Sequence, residues 1–546
     1  MKAFFTPRGQ FGQGSKRIMA AILCGSLLLF PAHSVGAHHQ GAASLDSGTV
    51  TFVTDQSASS IDTADNEVAG SDVIARSVSE PLVALDGSSL TNFKPVLATS
   101  WSSNAAKSIW TVHLRHGVAF HTGRCCLTAD DVQYTLARTM LAGLTNSFGY
   151  ARFMTDPMKQ IKVIDPYTVE FDLGRSQPLF IDQLSSLYMS EILDSKAIKA
   201  HSTKSDKWGH TWATDHDAGT GPYMIQSWAK SQQIILVRFP GYWGGWSGPH
   251  FSKVIVSTVP ETTTRRELVE KGQADMTFDL TAQDNVDLQH NPAVQVVAPY
   301  GTEVVYIYMT QYGPLASTAA RQALSYAFNY DAAIKGVWKG FAKRAYGCLP
   351  STMLGYDPNQ FHYQTDTNKA RQLLQQAGVK PGTVLTYDSY TAQENLDGLI
   401  LQAQLAPLGI QVKVQHIDEA ALTGILYGTE PASKRPNLMA FGWWPDFNDP
   451  YDECNILLNS ASAGAAGANA GFYHNAQVDS FLNQMKTADQ QQLISLSYKM
   501  QEAQAADPSA IWVAEPAQVS ILAHNLKGYI FNPVELQTFD FYSMHR

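Results

Sequence analysis

Hydrophobic residues follow two different spacings along the chain, one typical of β-strands and one typical of α-helices. Residues 49–54 (TVTFVT) alternate polar and apolar side chains, which predicts a strand. Residues 128–140 (TADDVQYTLARTM) predict a helix, because Thr128 can cap its first turn while Asp131 occupies the third helical position. The chain is therefore expected to mix strands and helices.

The C-terminal half shows a regular succession of strand and helix patterns. Residues 367–378 (TNKARQLLQQAG) predict a short amphipathic helix, with Thr367 as its candidate cap. Residues 384–389, 395–410 and 411–417 then predict a strand, a helix and a second strand. This succession is a βαβ unit, so we expect a parallel sheet in this half.

The composition is that of a globular protein with more than one domain. The chain has 546 residues, of which 45% are hydrophobic and 16% are charged. Its formal net charge of −9 argues against a basic surface, so no nucleic-acid partner is expected. Small residues dominate residues 462–471 (SAGAAGANAG), which predicts a flexible surface loop.

The N-terminus has the pattern of an export signal. Basic residues precede the apolar stretch 18–30, no acidic residue occurs before Asp46, and small residues ending at Ala37 offer a cleavage site. We therefore interpret residues 1–37 as a cleaved signal peptide. Cys24 follows Leu23, where a lipoprotein signal has a small residue, so ordinary cleavage is favoured and lipidation of Cys24 stays open.

Four cysteines follow the predicted signal: Cys125, Cys126, Cys348 and Cys454. An even number in an exported chain permits disulfide bonds, and four cysteines allow three pairings. A bridge between the adjacent Cys125 and Cys126 would be strained. Bridges to distant partners or free thiols are therefore expected, and the sequence alone does not choose between them.

Signatures of catalytic and metal sites are mostly absent from the sequence. There is no nucleophile elbow, no phosphate-binding loop and no H-E-x-x-H zinc motif. His113, His116 and His121 lie close together in the chain, but a strand–turn–strand would place them on different faces. We therefore predict that the protein is not an enzyme and has no catalytic residues, no metal site and no cofactor.

The segment 441–453 (FGWWPDFNDPYDE) is the most unusual local feature, since aromatic residues run directly into four acids. It could be a metal loop, a catalytic carboxylate pair or the floor of a pocket for a cation. The match to a calcium loop is weak, because the segment lacks the central Gly and the spacing of the terminal Glu. A hydrolase that uses Asp446 and Asp449 as its acid–base pair is a disfavoured alternative.

Residues 96–138 closely resemble the segment that marks family 5 extracellular solute-binding proteins, the dipeptide, oligopeptide and nickel receptors of ABC importers. The similarity lies in "LATSW", "LRHGVAFHTG" and "LTADDV", in the order of the family. Further segments that look like family landmarks follow in the same order: 219–228, 238–245, 259–276, 320–334, 349–358 and 369–378. The chain departs from the family at Cys125–Cys126, where a small or proline-containing pair is usual.

The resemblance implies an α/β protein with the two-lobed, type II periplasmic-binding-protein fold and an extra domain in its N-terminal half. Lobe I is expected to comprise residues 45–88, 211–301 and 515–546. The extra domain would be residues 89–210, and lobe II would be residues 302–514. The landmarks are expected to support the fold and not to touch the ligand.

The same resemblance implies a function without covalent chemistry. An exported, periplasmic monomer would capture di- or oligopeptides between its lobes and deliver them to an ABC permease in the membrane. Receptors of this fold for a nickel chelate, an opine-like conjugate or an oligosaccharide are the alternative.

In peptide-binding relatives, an Asp in a W-x-x-D-x-x-(D/E)-P segment binds the ammonium group of the peptide. This sequence matches at Trp443 and Asp446, which implies that Asp446 is the anchor and that Trp443 lines the pocket beside it. Trp444 is either a pocket or a core residue, and Asp446 could instead be a turn residue. Arg344 is a candidate for binding the peptide carboxylate, although a surface role fits it equally well.

Three acids of the segment are expected to lie outside the binding function. Asp449 precedes Pro450 and is interpreted as a turn or helix-cap residue. Asp452 and Glu453 are expected to be solvated.

Overall fold

A computed structural model describes residues 48–65, 69–464 and 467–546, so the predicted signal peptide, residues 1–37, lies outside the described part of the chain. The strands, in chain order, are β1 (Thr49–Thr54), β2 (Val83–Leu85), β3 (Phe93–Pro95), β4 (Ala98–Ser103), β5 (Ile109–Leu114), β6 (Ile161–Asp165), β7 (Thr168–Asp172), β8 (Tyr223–Ala229), β9 (Gln233–Arg238), β10 (Lys253–Thr258), β11 (Met276–Phe278), β12 (Val294–Val297), β13 (Val304–Met309), β14 (Ala342–Arg344), β15 (Val384–Ser389), β16 (Gln411–His416), β17 (Leu438–Trp443), β18 (Ala510–Pro516) and β19 (Ser520–Ala523).

The α-helices of the same residues alternate with these strands. In chain order they are α1 (Ala69–Val78), α2 (Ala129–Leu141), α3 (Pro157–Gln160), α4 (Phe180–Ser185), α5 (Ser195–Ala200), α6 (His210–Ala213), α7 (Thr262–Glu270), α8 (Ala282–Leu288), α9 (Thr318–Ala327), α10 (Tyr330–Ala332), α11 (Thr367–Gln376), α12 (Ala392–Leu405), α13 (Glu419–Leu426), α14 (Pro450–Leu458), α15 (Ala476–Met485) and α16 (Gln490–Ala506). Within the described ranges, none of the helices is both long enough and apolar enough to cross a bilayer.

Sheet I is a seven-stranded sheet whose strand order is β12-β19-β11-β1-β10-β9-β8. The strand predicted at residues 49–54 is confirmed as β1, which pairs in parallel with both β10 and β11. Phe52 of β1 is fully buried among aromatic side chains, including Phe278 and Phe539. Strand β19 lies between β11 and β12, so the chain returns to sheet I after it has formed sheet II.

Sheet II is a six-stranded sheet with the order β14-β18-β13-β17-β15-β16. The predicted βαβ unit is confirmed, because β15 and β16 pair in parallel and α12 lies between them in the chain. Helix α11 is also present, but its cap is Asp366 and not Thr367. The carboxylate of Asp366 accepts the backbone N–H of Lys369 at 2.8 Å, and Thr367 becomes the first helical residue.

Sheet III is a four-stranded antiparallel sheet, β4-β5-β7-β6, which packs with α2. The predicted capping box of α2 is confirmed, since Asp131 Oδ2 accepts the backbone N–H of Thr128 at 2.9 Å. Inside α2, Arg138 forms a fully buried ion pair with Asp62. The boundaries predicted for the lobes and the extra domain stay a prediction, since the described residues belong to one compact unit.

Two chain segments connect sheet I with sheet II, one between β12 and β13 and the other between β18 and β19. They pair with each other through an antiparallel bridge between Tyr300 and Ala517. The backbone N–H of Gln518 also donates to the carbonyl of Pro299 at 2.7 Å, and its side chain donates to Glu303 at 2.6 Å. The two connecting segments are therefore held side by side by these hydrogen bonds.

The family landmarks meet at the buried carboxylate of Glu80. Thr220 donates its hydroxyl to Glu80 at 2.8 Å, and Tyr242 donates at 3.1 Å. The indole N–H of Trp243 donates at 2.9 Å. His121 lies nearby and pairs with Asp217 at 2.7 Å. Two neighbouring landmarks are thus joined through a single acid that lies 140 or more residues earlier in the chain.

The cysteine pairing differs from the expectation. Cys348 and Cys454 form a disulfide bond across 106 residues, and both are fully buried in one core of sheet II. This pairing leaves Cys125 and Cys126, which bridge each other across a cis peptide bond. The prediction that Cys125 and Cys126 do not bridge each other was wrong, because Cys348 and Cys454 already form a disulfide bond with each other within the core.

The described residues of segment 462–471 do not form the surface loop that the small residues of the segment predicted. Asn469 is fully buried, and its amide donates to the carbonyls of Asn459 at 3.1 Å and Tyr473 at 2.8 Å. The hydroxyl of Tyr308 donates to the carbonyl of Ala468 at 2.5 Å. Small side chains let this backbone approach sheet II closely, which is why the described part of the segment is mostly buried.

Candidate ligand-binding site

The acidic segment forms the turn between strand β17 and helix α14. Strand β17 ends at Trp443, and α14 begins at Pro450, whose fixed φ suits the first helical position. Asp449 caps this helix, and its carboxylate accepts the backbone N–H of Tyr451 at 2.9 Å. The prediction that Asp449 is a turn or helix-cap residue is confirmed.

A small, partly open cavity lies beside this turn, with free space for about one water molecule. Three separate parts of the chain line it. The turn contributes Asp446, Phe447 and Asn448, and the helix α4 region contributes Asp182, Ser185 and Ser186. The remaining wall consists of Leu85, Leu90, Val534 and Glu535. Among the described residues that line the cavity there are three carboxyl groups and no Lys, Arg or His.

Asp446 is half-buried at the wall of this cavity. Its backbone N–H donates to Oδ2 of Asp452 at 2.9 Å, which holds the turn in place. The hydroxyl of Tyr188 lies close by and donates to the carbonyl of Leu536 at 3.0 Å. Burial raises the pKa of the Tyr188 hydroxyl, the charges of Asp72 and then of Asp446 raise it further, and a hydrogen bond with Trp444 opposes the shift. The structure therefore brings Trp444 and Asp446 together around Tyr188.

Trp443 lies at the end of β17 and is half-buried against the core of sheet II. It pairs with Val304 across the sheet, and within the described chain its indole N–H meets no hydrogen-bond acceptor. Trp443 and Trp444 are neighbours of Asp446 in the chain, but neither lines the cavity itself. Their contact with a ligand stays a prediction.

Arg344 is not brought to the cavity. Its guanidinium donates to the carbonyl of Tyr363 and to Oε1 of Gln364, the latter at 3.3 Å. The group also stacks on the ring of Tyr330, with 3.8 Å between the guanidinium carbon and the ring centroid. These contacts lie within the part of the chain that forms sheet II. The role of Arg344 as a carboxylate ligand stays a prediction.

Glu453 and Asp452 are not solvated as expected. Glu453 is fully buried, because its position in α14 faces the core of sheet II next to the bridged Cys454. Burial raises the pKa of Glu453 well above its usual range, and the nearby Asp452 and Asp446 raise it further. Asp452 turns back onto the segment and accepts backbone N–H groups of Asp446 and Phe447.

The turn also joins the part of the chain that carries sheet III. Phe447 is buried in the core of sheet III, with its ring centroid 5.9 Å from that of Phe153. Arg152 forms a buried ion pair with Asp449, and its NH2 group donates to the carbonyl of Met485 at 3.3 Å. Sequence reasoning missed Arg152, Asp182 and Glu535, because no local motif marks them.

Several buried carboxyl groups share an upward shift of the pKa. Burial raises the pKa of Glu80, Glu303 and Asp452 to about 7 and that of Asp182 to about 8. In Glu453 the shift is in the same direction. The folded protein therefore retains protons that the same groups release in the unfolded chain at neutral pH.

The free energy of unfolding should consequently fall as the pH rises from about 5 to about 8. A group whose pKa is raised on folding contributes its full stability below its unfolded pKa, and the contribution is lost as the pH rises through the folded pKa. Each fully buried group loses on the order of 2 kcal/mol over this range. Calorimetric melting of the ligand-free protein across the range measures the trend.

Glu453→Gln is the matched variant, because it removes one ionisation and keeps the shape of the side chain. Its melting temperature should depend less steeply on pH than that of the wild type. A melting temperature that is flat or rises with pH would contradict the assignment of these groups.

Comparison with known proteins gives one consistent family. The family model described as "Bacterial extracellular solute-binding proteins, family 5 Middle" matches residues 92–465. The chain is 29% identical over 455 residues to the probable D,D-dipeptide-binding periplasmic protein DdpA of Escherichia coli K12, which covers 82% of this chain and 84% of that protein. It is 27% identical over 480 residues to heme-binding protein A of Haemophilus influenzae, with 82% of this chain and 84% of that protein covered.

A solved structure gives the same result for the fold. The ABC transporter-associated periplasmic binding protein DppA of Helicobacter pylori, in complex with the peptide STSA, matches with a TM-score of 0.80 and 25% identity. The match covers 91% of this chain and 98% of that one. The predicted type II periplasmic-binding-protein fold is confirmed. These relatives are named as binding proteins and not as enzymes. The chain therefore belongs to the bacterial extracellular solute-binding proteins, family 5.

Proposed function

We propose that this protein is the exported receptor of an ABC importer and that it captures peptides by their N-terminal ammonium group at Asp446. The observation that carries the proposal is the position of Asp446 at a cavity whose described lining contains carboxylates and no cationic side chain. An ammonium group cannot be buried cheaply without an anionic partner. A carboxylate supplies that partner through a charge-assisted hydrogen bond.

A peptide suits this position because its main chain can be bound independently of its sequence. Main-chain hydrogen bonds, like those of an added strand, give affinity, while the side chains occupy pockets. Trp443 and Trp444 precede Asp446 in the chain and lie outside the cavity lining, and in this proposal they contact the peptide beyond the cavity. Relatives named for a D,D-dipeptide and solved with the peptide STSA support this ligand class.

Capture is linked to closure of the two lobes. The turn that carries Asp446 also contacts the sheet III part of the chain through Phe447 and Arg152. A ligand that contacts both sides stabilises the closed state and shifts the population toward it. The permease then distinguishes closed, loaded receptors from open ones. In this proposal the receptor acts outside the cytoplasm as a monomer.

Another solute class would bind to the same fold without the ammonium anchor. A nickel chelate, an opine-like conjugate or an oligosaccharide is the alternative, and one relative is named for heme. Among the described residues, no group of three or more His, Cys, Asp and Glu side chains is arranged to hold a metal ion. A hydrolytic pair of Asp446 and Asp449 is disfavoured, because Asp449 is buried as a helix cap and paired with Arg152.

Thermal-shift measurements with free and N-acetylated peptides of two to five residues test the proposal. Free peptides should raise the melting temperature, and N-acetylated peptides should not, because acetylation removes the ammonium charge. Asp446→Asn should abolish the shift. Asp130→Asn is the matched control, since Asp130 is exposed in the first turn of α2 and far from the cavity in sequence.

Two outcomes would overturn the proposal. The ammonium anchor is wrong if acetylated and free peptides stabilise the protein equally. The peptide class is wrong if no peptide binds while a metal chelate, an opine-like compound or a sugar binds to both the wild type and Asp446→Asn.

A further inference from the structure

Four exposed lysines lie on helix α5 and on the loop that follows it. Lys196 and Lys199 belong to α5, and Lys204 and Lys207 belong to the loop between α5 and α6. All four residues are exposed, and we refer to them as the lysine patch. Asp206 is the one acid between Lys196 and Lys207 in the sequence, so four positive charges and one negative charge occur here in a chain whose formal net charge is −9.

The charges of the lysine patch are not balanced by ion pairs within the described chain. Other exposed lysines are paired on the surface, as Lys159 is with Asp156 and Lys271 is with Glu267. The described lysines that form such pairs are Lys159, Lys162, Lys271, Lys335 and Lys434, and none of them belongs to the patch. The four ammonium groups therefore direct their charge toward the solvent.

The acids of the same region are engaged by other groups. Asp194 pairs with an arginine and Asp217 with a histidine. The carboxylate of Asp206 accepts two backbone N–H groups at the start of α6, at 2.9 and 2.8 Å, and Asp215 pairs with the adjacent histidine. Asp130 is an exposed acid on the neighbouring helix α2. The lysines of this region thus outnumber the acids that remain open to a partner.

Contacts with the rest of the fold hold the loop of the lysine patch against α5. A β-carbon added at Gly209 would lie 2.8 Å from the carbonyl oxygen of Ile198, so the end of the loop returns to α5. The carbonyl of Trp208 accepts an N–H of the fully buried Arg138 of α2 at 2.6 Å. The four lysines therefore share one small region of the surface.

Aromatic side chains accompany the lysines. Trp208 and Trp212 are half-buried against a small core that includes Tyr134. The ammonium group of Lys199 lies 4.2 Å from the ring centroid of Tyr134, and that centroid lies 5.8 Å from the centroid of Trp208. Trp212 stacks on the exposed His201, with 4.6 Å between the ring centroids. The region thus combines exposed cations with partly exposed indole rings.

This combination suits an anionic lipid surface better than a single acidic group. A lysine ammonium is a compact charge on a flexible stem, whereas arginine presents a rigid fork that fits one carboxylate or phosphate. No arginine occurs in residues 195–217 of the sequence. Clusters of lysine are attracted to anionic lipid head groups, and tryptophan is enriched where a membrane meets water.

We propose that the lysine patch is a contact surface for anionic phospholipid head groups of the membrane that holds the permease. The net negative charge of the chain repels such a membrane, so the patch would turn this one side of the receptor toward it. The inference goes beyond peptide capture, and it depends neither on Asp446 nor on the class of the ligand.

Sedimentation with lipid vesicles tests the inference. Each lysine near an anionic surface contributes about fivefold to the binding constant. At low ionic strength, the wild type should bind vesicles of phosphatidylglycerol mixed equally with phosphatidylcholine at least about 25-fold more strongly than vesicles of phosphatidylcholine alone, which corresponds to two lysines in contact. Added salt should remove this preference. The combined variant Lys196→Gln, Lys199→Gln, Lys204→Gln and Lys207→Gln should also lose it.

A matched control changes the net charge by the same amount at another place. Four exposed lysines in the part of the chain that forms sheet II serve this purpose, in the combined variant Lys369→Gln, Lys380→Gln, Lys413→Gln and Lys499→Gln. This variant should bind the anionic vesicles within about threefold of the wild type, because its changes lie outside the patch. Both combined variants should keep the melting temperature and the peptide affinity of the wild type.

Three outcomes would overturn the inference. The first is a wild type that binds both kinds of vesicle equally, a comparison that needs no variant. The second is equal binding of the anionic vesicles by the two combined variants. The third is binding of the wild type, but not of the patch variant, to the permease in neutral lipid without any binding to anionic vesicles. In that case the partner is an acidic protein surface and not a lipid.

Discussion

Replacing Arg152 with methionine should weaken peptide binding by roughly 100-fold while leaving the secondary structure intact. Arg152 pairs with the fully buried Asp449, which caps the helix after the binding turn. Without the arginine, a buried charge is left unpaired, which costs about 3–5 kcal/mol. Opening of the lobes returns Asp449 to water and removes this cost, so the variant should populate the open state. The apparent affinity then falls in proportion to the remaining closed fraction.

Two measurements check this result together. Titration with a peptide gives the loss of affinity, and small-angle X-ray scattering without ligand should give a larger radius of gyration than that of the wild type. Lys159→Met is the matched control, because Lys159 is a highly exposed cation in the same part of the chain. Wild-type affinity together with an unchanged radius of gyration in Arg152→Met would contradict the link between this ion pair and closure.

Phe447→Ala examines the same contact from the opposite side. Phe447 belongs to the turn after β17 but is buried in the core of sheet III. Removing a buried phenylalanine side chain costs about 3–5 kcal/mol. Because this packing joins the two sides of the cavity, the loss should appear as an open receptor with weakened binding, as in Arg152→Met. The variant lies next to Asp446, so Arg152→Met remains the decisive one.

Removing the Cys348–Cys454 disulfide should lower the free energy of unfolding by about 4–5 kcal/mol. The bond closes a loop of 106 residues, and loop closure of this length strongly restricts the unfolded chain. Both cysteines are fully buried in the core behind α14, so Cys348→Ala with Cys454→Ala also leaves a small void. Chemical denaturation of the double variant measures the loss.

The second bridge supplies a matched control within the same protein. Cys125 and Cys126 are adjacent, so their bond closes no chain loop, and Cys125→Ala with Cys126→Ala should cost far less. Equal stability losses in the two double variants would show that loop closure is not the source of the effect.

The elements that depend on local pattern could be predicted from the sequence. Strand β1, the capping box of α2 and the βαβ unit around α12 follow from residue spacing and cap chemistry within a few residues. The cap of α11 differed by a single position, because Asp366 accepts the N–H group that Thr367 could also have bound. Local propensity decides such elements, and tertiary packing only adjusts them.

Two local predictions failed where packing overrides composition. Small residues at 462–471 were interpreted as a loop in solvent, yet a β-carbon added at Gly471 would lie 3.1 Å from the carbonyl oxygen of Met309. Glu453 was expected in solvent because it is charged, although its helical position faces the core. In both cases the neighbouring strand, far away in sequence, determines the environment of the residue.

The candidate site could be predicted only from one side. Asp446 lies in a segment with a distinctive order of aromatic, acidic and proline residues, so it was a candidate without a structure. Asp182 and Glu535 come from ordinary surroundings, and they join Asp446 only because three separate parts of the chain meet at the cavity. Arg152 reaches Asp449 in the same way. The spacing of residues within one segment does not predict such contacts between distant parts of the chain.

The meeting of landmarks at Glu80 has a consequence for how such chains diverge. Thr220, Tyr242 and Trp243 all direct their polar hydrogens to this one carboxylate. A lineage that lost the acid would leave three donors without this acceptor, the buried Thr220 and the half-buried Tyr242 and Trp243, at a cost of about 1–3 kcal/mol for each donor that stays shielded from water. We therefore expect these four positions to be inherited as a block, so that a homologue without the acid has also replaced its hydroxyl, phenol and indole.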